Sequence, residues 1–459
     1  MRNTMRLFRR FIYSGIIIGA ANLFVLLALL MTAGVSAIGL GILTALLFLL
    51  LLFILIVPQK NSQPTKVLRV LANGCELLRL FLISAAVTLP LQLVFLIGAY
   101  QEAGPEMGIW YLAYAAQSIF LALLCEAVVF WSGMLRLYTM SVQLGIRHRV
   151  LALLLAWVPG FNLYYLLKMI RIAEAEIAIE AEKAERNSRR AASEICRTKY
   201  PLLLVHGVFF RDFRYLNYWG RVPGELIKNG ATIYYGNQQS AASVDCCGAE
   251  LAERIRQIVQ ETGCGKVNII AHSKGGLDSR AAISRFGAAP YVASLTTINT
   301  PHRGCIFAEY LIGRCPNGLK QAMAASYNRV LKQLGDQTPD FLAAVGDLTA
   351  SACAERNKIT PDMPDILYES VGSYCRKATG GRFPLNVSYP VVRHFDGKND
   401  GLVAIDSAPW GERFTLLEPG PRRGISHGDM IDLNRENIPG FDVREFYVSL
   451  AAGLKERGY

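Results

Sequence analysis

Acidic residues are absent from the first 75 positions of this 459-residue chain. No Asp or Glu precedes Glu76, whereas basic residues occur throughout that stretch, at Arg2, Arg6, Arg9, Arg10, Lys60, Lys66 and Arg69. A basic excess beside apolar segments is typical of cytoplasmic loops that face anionic lipid. Aromatic residues interleaved with basic ones, as nucleic-acid binding would need, are also missing. The net charge of +12 therefore indicates a membrane partner and not a nucleic acid.

Metal-binding cysteine patterns are missing too. The ten cysteines include the adjacent pair Cys246 and Cys247, but there is no CxxC and no pair of histidines nearby, which excludes the usual zinc sites. Eight cysteines follow from Cys196 onward. They suit either buried thiols in a reducing compartment or disulfides in an external domain, and the sequence leaves both open.

Long apolar runs dominate the first part of the chain. A helix crosses a bilayer with about 20 apolar residues, and four runs qualify: Phe11–Met31, Ile38–Val57, Leu80–Tyr100 and Ile109–Leu135. The first lacks the small-residue cleavage pattern of a signal peptide. We therefore expect residues 1–170 to form a multi-pass helical anchor in the cell membrane, with membrane lipids as partners.

The orientation of this anchor depends on a fifth apolar run, Val150–Ile170, which has Pro159 and Gly160 at its centre. Basic residues place the N-terminus, the Lys60 and Lys66 loop and the segment after Arg136 inside, and the loop 101–107, without Lys or Arg, outside. If the fifth run spans, the rest of the chain lies outside; if it dips in or lies on the surface, the rest stays inside. The basic residues that follow favour the cytoplasmic face.

Glu126 lies within the fourth apolar run. An ionisable residue inside a membrane is a functional candidate. The alternative is a structural carboxyl that shifts to the interface or bonds to a neighbour.

A change of composition marks the end of the membrane part. Residues 171–198 are rich in charged residues and alanine and predict a charged helical linker. Residues 199–459 have the composition of a soluble α/β domain. Within it, 305–365 has a mostly helical pattern and is either a cap over an active site or an extra pair of core helices.

Residues 268–276, Asn-Ile-Ile-Ala-His-Ser-Lys-Gly-Gly, carry the most specific signal. An apolar β-branched run leads into a tight turn and then a helical stretch, Leu277 to Phe286, which is the context of a nucleophile elbow with Ser273 at its tip. Small residues are needed two positions either side of the serine. Ala271 and Gly275 fill those places, with alanine less common than glycine at the first.

A second motif precedes the elbow. The apolar stretch 201–205 ends in His206-Gly207, where an α/β-hydrolase places its first oxyanion loop. The expected oxyanion donors are the backbone N–H groups of Val208 and Lys274. The alternative for His206-Gly207 is a plain turn at the end of a strand.

A catalytic triad then needs an acid and a histidine later in the chain. His427, in a turn before the final helical segment, is preferred over His394, which is predicted to end a strand over Tyr389–Val392. For the acid, Asp396 and Asp400 share one glycine-rich loop. Position alone does not separate them.

The chain from about residue 200 to 435 resembles the bacterial triacylglycerol lipases of the Pseudomonas/Burkholderia and Bacillus groups, in the α/β-hydrolase superfamily. The shared blocks are collinear: 201–207, 218–223, 229–234, 266–277, 294–304, 399–403 and the His-Gly-Asp at 427. The resemblance implies that Asp400, in Asn-Asp-Gly-Leu-Val, is the acid. Alanine at the elbow's first position also occurs in the Bacillus group, so Ala271 fits the resemblance.

Two features depart from the lipase pattern. The secreted relatives lack the membrane-spanning front half. Their calcium site is only partly echoed, because Asp429 matches one ligand position and no second carboxylate is evident ahead of Asp400. Calcium is permitted and no cofactor is required; a surface role for Asp429 is the alternative.

The sequence thus predicts a multi-pass α-helical membrane anchor followed by an α/β-hydrolase domain, with a mostly parallel sheet, helices on both faces and a helical cap. Ser273, Asp400 and His427 are expected to cleave carboxylic esters of lipids. Two other functions stay open. One is acyl transfer by the same triad to an acceptor other than water. The other is a membrane sensor or transporter, for which Glu126 is the hint, with an accessory hydrolase.

Overall fold

The structure, a computed structural model, describes residues 2–57, 62–102, 108–208, 217–333 and 336–459. It divides into two compact units, Met1–Arg186 and Asn187–Tyr459. Lys60 and most of the predicted outer loop, residues 103–107, lie outside the described residues.

The first unit is helical. Its elements are α1 (Arg2–Ala21), α2 (Leu23–Thr32), α3 (Ala37–Ile56), α4 (Lys66–Glu102), α5 (Gly108–Met140), α6 (Gly145–Leu155) and α7 (Phe161–Arg190). Among the described residues, α3, α4 over Lys66–Gly98, and α5 are long and apolar enough to cross a membrane. The pair Leu7–Ala21 and Leu23–Thr32 qualifies only if taken together, because it is bent by 81°.

The fifth apolar run does not form a single helix. Residues 156–160 separate α6 from α7, and this break contains Pro159 and Gly160, the latter at φ +80. Proline removes a backbone donor and glycine readily takes positive φ, so both end the helix. Helix α7 then continues past Ile170 through most of the predicted linker, which joins the apolar and charged stretches in one element.

The second unit contains a six-stranded sheet in the order β2-β1-β3-β4-β5-β6, and every neighbouring pair is parallel. The strands are β1 (Leu202–Val205), β2 (Ile233–Tyr235), β3 (Val267–His272), β4 (Val292–Ile298), β5 (Leu367–Ser373) and β6 (Arg413–Leu417). The expected mostly parallel sheet is confirmed.

Helices cover both faces of this sheet, because successive side chains of a strand point to opposite sides. In β1, Leu202 and Leu204 pack in one core with α8 (Val222–Lys228) and α16 (Val443–Glu456). Leu203 and Val205 pack in the other with α9 (Val244–Thr262) and α10 (Lys274–Ser284). A strand buried on both faces reads as a continuous apolar run, as residues 202–205 do.

Four helices occupy the segment between β4 and β5, as its helical pattern predicted. They are α11 (Ile306–Arg314), α12 (Asn317–Gln333), α13 (Phe341–Gly346) and α14 (Ala350–Ile359). Helix α12 buries only Ala324 and Leu331 and leaves Leu319, Met323, Tyr327 and Val330 exposed.

The predicted strand over Tyr389–Val392 is wrong. This stretch lies within helix α15 (Leu385–Asp396), which buries Tyr389 and Val392 and exposes Val387 and Val391. The two buried residues are three positions apart, which is the helical spacing. Four apolar residues are too few for their periodicity to separate a strand from a helix.

Candidate active site

Ser273 stands at a sharp turn between β3 and α10. Its backbone has φ 58 and ψ −132, a conformation that residues other than glycine rarely adopt. Such strain is characteristic of the turn that lifts a nucleophile above a sheet. Close approach explains the small neighbours: a Cβ on Gly275 would lie 2.3 Å from the carbonyl oxygen of His206. Ala271, on the other side, is fully buried.

The loop after β1 lies directly against this serine. A Cβ on Gly207 would lie 2.8 Å from the Cβ of Ser273, so the absence of a side chain lets the two backbones meet. Val208 follows and packs against a small buried cluster that includes Leu331 of α12. The structure therefore brings Gly207 and Ser273 together, and sets Val208 next to Gly207.

Lys274 has its side chain in the core and its backbone at the start of α10. The buried Nζ donates to Asp278 Oδ1 at 2.7 Å and to Cys247 Sγ at 3.4 Å. Burial raises the pKa of the Asp278 carboxyl to about 6, and the neighbouring lysine opposes that shift. Because Lys274 is the first residue of the helix, its N–H has no partner within the helix. The side chain thus anchors the residue, while the backbone N–H remains for the oxyanion role.

Asp400 and His427 lie in hydrogen-bond contact. His427 Nδ1 is 2.7 Å from Asp400 Oδ2, and the backbone N–H of His427 donates to the Asp400 carbonyl at 3.0 Å. Asp400 is fully buried, whereas His427 and Ser273 each retain 7% exposure. The acid is therefore enclosed, and the histidine and the serine reach the surface of the site.

Further donors fix the Asp400 carboxylate. Oδ1 accepts the backbone N–H groups of Leu402 and Val403 at 2.8 and 2.7 Å. Oδ2 also accepts from the side-chain amide of Asn299 at 2.6 Å, and the same amide donates to Ser373. These contacts hold the carboxylate in one orientation. The sequence analysis did not identify Asn299 as a partner of Asp400, although it follows β4 within a block shared with the lipases.

His272, directly before the serine, has a role that the sequence analysis also missed. Its Nδ1 is 2.7 Å from the Tyr218 hydroxyl, its Nε2 is 3.2 Å from the His427 carbonyl oxygen, and the two imidazole rings are 4.4 Å apart. Burial lowers the pKa of His272 well below its usual value. One neutral tautomer, with Nε2–H donating and Nδ1 accepting, satisfies both partners. A neutral ring there does not oppose a positive charge on His427.

The alternative candidates have other partners. Asp396 accepts the backbone N–H groups of Ile306 and Phe307 at the start of α11, at 2.8 and 2.9 Å, and so caps that helix. His394 lies on α15 with its ring next to Phe395. His206 bonds to the carbonyl oxygens of Gly207 and Gln238. The geometry separates Asp400 from Asp396, which position in the sequence did not.

Asp429, the one residue proposed for calcium, already has a cationic partner. Its Oδ1 accepts from Arg423 at 2.8 Å, and its Oδ2 accepts the Ser426 N–H and hydroxyl at 2.8 and 2.6 Å. Arg423 also donates to Glu436 at 3.1 Å. In the described parts of the chain, no group of three or more His, Cys, Asp and Glu side chains is arranged for a metal ion. The residues present therefore do not fit a calcium ion.

All ten cysteines lie within the described residues and are free thiols. Burial raises the pKa of most of those in the second unit, for example to about 11 for Cys353. Thiols of this kind are unreactive, because the thiolate is the nucleophilic form.

Comparisons with known proteins identify similar esterases and lipases. The family described as "Putative serine esterase (DUF676)" matches residues 223–333. A triacylglycerol lipase of Burkholderia plantarii is 36% identical over 185 residues, which cover 37% of this chain and 51% of the relative. One of Pseudarthrobacter phenanthrenivorans is 35% identical over 184 residues, covering 37% and 56%. The chain thus spans about half the length of these two relatives.

A third relative is matched over almost its whole length. The triacylglycerol lipase of Pseudomonas fragi is 29% identical over 298 residues, 57% of this chain and 98% of the relative. Together these matches confirm the resemblance to a lipase family of the α/β-hydrolase superfamily.

Solved structures give similar matches. The mature lipase of Bacillus licheniformis has 24% identity and a TM-score of 0.40, and covers 52% of this chain and 88% of its own. The lipase of Staphylococcus hyicus has 19% identity and a TM-score of 0.44, with coverage of 57% and 96%.

Proposed function

We propose that the second unit is a serine hydrolase that cleaves carboxylic esters of lipids, and that the first unit anchors it in a membrane. The observation that carries this proposal is the hydrogen bond between His427 and the buried Asp400, on a loop beside the strained elbow of Ser273. The order serine, acid, histidine along the chain is that of α/β-hydrolases. The relatives named as triacylglycerol lipases support the ester and the lipid class.

In the proposed mechanism, Ser273 Oγ attacks the ester carbonyl carbon while His427 Nε2 takes its proton. Nδ1–H of the resulting imidazolium donates to Asp400, whose negative charge stabilises it. The backbone N–H groups of Val208 and Lys274 hold the developing oxyanion. The intermediate collapses, the alcohol leaves with the proton from His427, and a water molecule, deprotonated by the same histidine, releases the acid.

Apolar surface on the second unit supports a lipid substrate. The exposed side chains on α12 (Leu319, Met323, Tyr327 and Val330) lie on one side of that helix, and Phe383 is 79% exposed before α15. Exposed apolar patches mark binding surfaces for lipid or protein. We propose that α11–α14 form the cap and that their exposed faces contact acyl chains. An anchored enzyme also meets membrane lipids at high local concentration.

The decisive experiment is ester hydrolysis by the full-length protein carrying Ser273→Ala. A loss of at least about 1,000-fold is expected because the nucleophile is gone. The matched control is Ser351→Ala, on the exposed surface of α14, which should retain full turnover. Comparable hydrolysis by wild type and Ser273→Ala would refute the proposal. Analysis of the products with lipid donors separates free acid from transfer of the acyl group to another acceptor.

A second candidate function concerns the first unit, and a chain of buried polar side chains favours it. Glu126 accepts from Ser84 at 2.8 Å and from Thr88 at 3.2 Å. Asn22 donates to Thr88 and accepts from Gln92, each at 3.1 Å. These polar side chains lie at the bend between α1 and α2 and beside Pro90 of α4. Polar groups at helix breaks within a membrane are typical of transport sites, so a sensor or transporter role for this unit stays a candidate.

A further inference from the structure

We infer that the segment Gly145–Ile170 inserts into one membrane leaflet and returns to the side from which it starts, with an anionic phospholipid surface as its partner. The inference rests on the proposed membrane anchoring of the first unit. It goes beyond that proposal because it assigns a second, monotopic contact with the bilayer and fixes the side on which the chain emerges.

The two ends of this segment meet. The Glu176 carboxylate, on α7 after the segment, accepts from the Ser141 hydroxyl at 2.5 Å and from the backbone N–H groups of Val142 and Gln143 at 2.9 and 3.2 Å. These three residues directly follow α5, before the segment begins. A segment that crossed the membrane would leave its ends about 30 Å apart. Residues in hydrogen-bond contact must lie on the same side.

Neither helical part of the segment is long enough to cross. The 11 residues of α6 rise about 16 Å, and the apolar start of α7, Phe161–Ile170, rises about 15 Å, against a hydrocarbon thickness of about 30 Å. The break at residues 156–160 lies between them. The lengths suit an element that lies in the interface of one leaflet or dips partly into it.

Most exposed side chains of this segment are apolar, with Arg147 and Asn162 as the polar exceptions. Trp157, in the break, is 90% exposed, and Ile146, Leu154 and Phe161 are exposed as well. Helix α6 buries no residue at all. Tryptophan is favoured where the headgroups meet the hydrocarbon, because its ring is apolar and its N–H is polar. This surface is therefore suited to the interface of a bilayer.

The charge of the region is of one sign. No acidic residue occurs between Glu126 and Glu174, whereas Arg136, Arg147, Arg149, Lys168 and Arg171 do. Arg147 and Arg149 precede the apolar residues 150–167, and Lys168 and Arg171 follow them. A juxtamembrane basic residue contributes about 1 kcal/mol of attraction to an anionic leaflet. The basic residues and the exposed apolar side chains together favour a membrane surface that contains anionic lipid.

Two ion pairs connect α7 to α1 through α4. Arg10 Nη2 donates to Glu76 at 2.6 Å, and Arg79, one turn further along α4, donates to Glu174 at 2.6 Å. Arg10, in the middle of α1, and Glu174, in the middle of α7, are therefore joined through α4 at one level of the first unit. Glu174 consequently lies on the same side of the membrane as Arg10, which the basic N-terminus assigns to the cytoplasm.

Topology is tested on the full-length chain with two sites for a sequence-specific protease. One is inserted between Gln63 and Pro64, and the other is appended after Tyr459. Because α4 and α5 cross in opposite directions, the inference expects both sites to be cut in inverted vesicles and protected in right-side-out vesicles. Cutting from opposite sides would overturn it. If the chain is not anchored at all, it appears in the soluble fraction with both sites cut in either preparation, which refutes the proposed anchoring instead.

Insertion of the segment is tested with the reconstituted protein and its Trp157→Phe variant. Phospholipids brominated near the headgroup quench nearby tryptophans, and the difference between the two proteins isolates Trp157. We expect at least twofold stronger quenching of Trp157 in vesicles with phosphatidylglycerol than in pure phosphatidylcholine, and loss of that difference in Arg147→Gln/Arg171→Gln. Equal quenching in both vesicles would refute the anionic partner, and no quenching would refute the insertion.

Discussion

Replacing Arg423 by alanine tests whether an internal ion pair, and not a calcium ion, holds the loop of His427. The guanidinium joins Asp429 at 2.8 Å, Glu436 at 3.1 Å and the Gly424 carbonyl oxygen at 3.0 Å. Asp429 in turn holds Ser426, the neighbour of His427, by two hydrogen bonds. Arg423 thus holds the loop that carries His427 without contacting the histidine. It is a positioning residue.

The cost follows from burial. The side chains of Arg423 and Asp429 are 12% and 2% exposed, respectively. Removing one partner of a buried pair destabilises by about 3–5 kcal/mol, because the other charge stays buried and uncompensated. If that cost falls on the local loop, the active geometry becomes at least about 100-fold less populated, since 1.4 kcal/mol is a factor of ten. We therefore expect Arg423→Ala to lose at least about 99% of its ester hydrolysis.

Two comparisons separate this cause from general unfolding. The double variant Arg423→Ala/Asp429→Ala should regain part of the activity, because no charge is left buried. Arg382→Ala removes a half-exposed partner of the same Glu436, and should cost less than about 1 kcal/mol. Hydrolysis of a soluble ester is the readout, with thermal unfolding measured alongside.

The response to calcium distinguishes an ion pair at Asp429 from a metal site. Wild-type activity should be indifferent to a chelator, because the guanidinium occupies the carboxylate. Arg423→Ala leaves Asp429 without a cationic partner, so added calcium should restore some of its activity. Wild-type protein that lost activity in chelator and regained it with calcium would contradict the assignment.

Four further predictions concern single groups. Asp400→Asn should lower kcat about 10,000-fold by removing the acid that orients His427, whereas Asp396→Asn, a helix cap, should lower it less than about fivefold. Lys274→Met should destabilise the second unit by about 3–5 kcal/mol, and Lys274→Met/Asp278→Leu should recover most of that loss, as thermal unfolding will measure. Because the folded-state pKa of Asp278 is raised to about 6, its contribution to stability is full below about pH 4 and lost as pH rises through about 6. The free energy of unfolding of wild type should therefore fall by up to about 3 kcal/mol relative to that of Asp278→Asn as pH rises through this window. Parallel stability curves for the two proteins would contradict the shift. Glu126→Gln should leave ester hydrolysis unchanged, whereas a loss in the assay would couple the first unit to catalysis.

Much of the second unit was predictable because its signals are local. A strand buried on both faces reads as an apolar run, as the stretch 201–205 that contains β1 does. The elbow needs small residues where two backbones meet, so Ser273 could be named from its neighbours. The error over Tyr389–Val392 arose in the same way, because four apolar residues carry no periodicity that separates a helix from a strand.

The apolar segments, the sharp turn at Ser273 and the order of a candidate acid and base could be read from the sequence, because each depends on residues that are adjacent in the chain. The contact of Asp400, and not Asp396, with His427 could be seen only in the fold, since the two acids share one loop and differ in what lies opposite them. It also gave Asp429 an arginine for a partner and brought Glu176 back to Ser141. Contacts between residues far apart in the chain depend on how the helices and strands pack, and no local pattern records that packing.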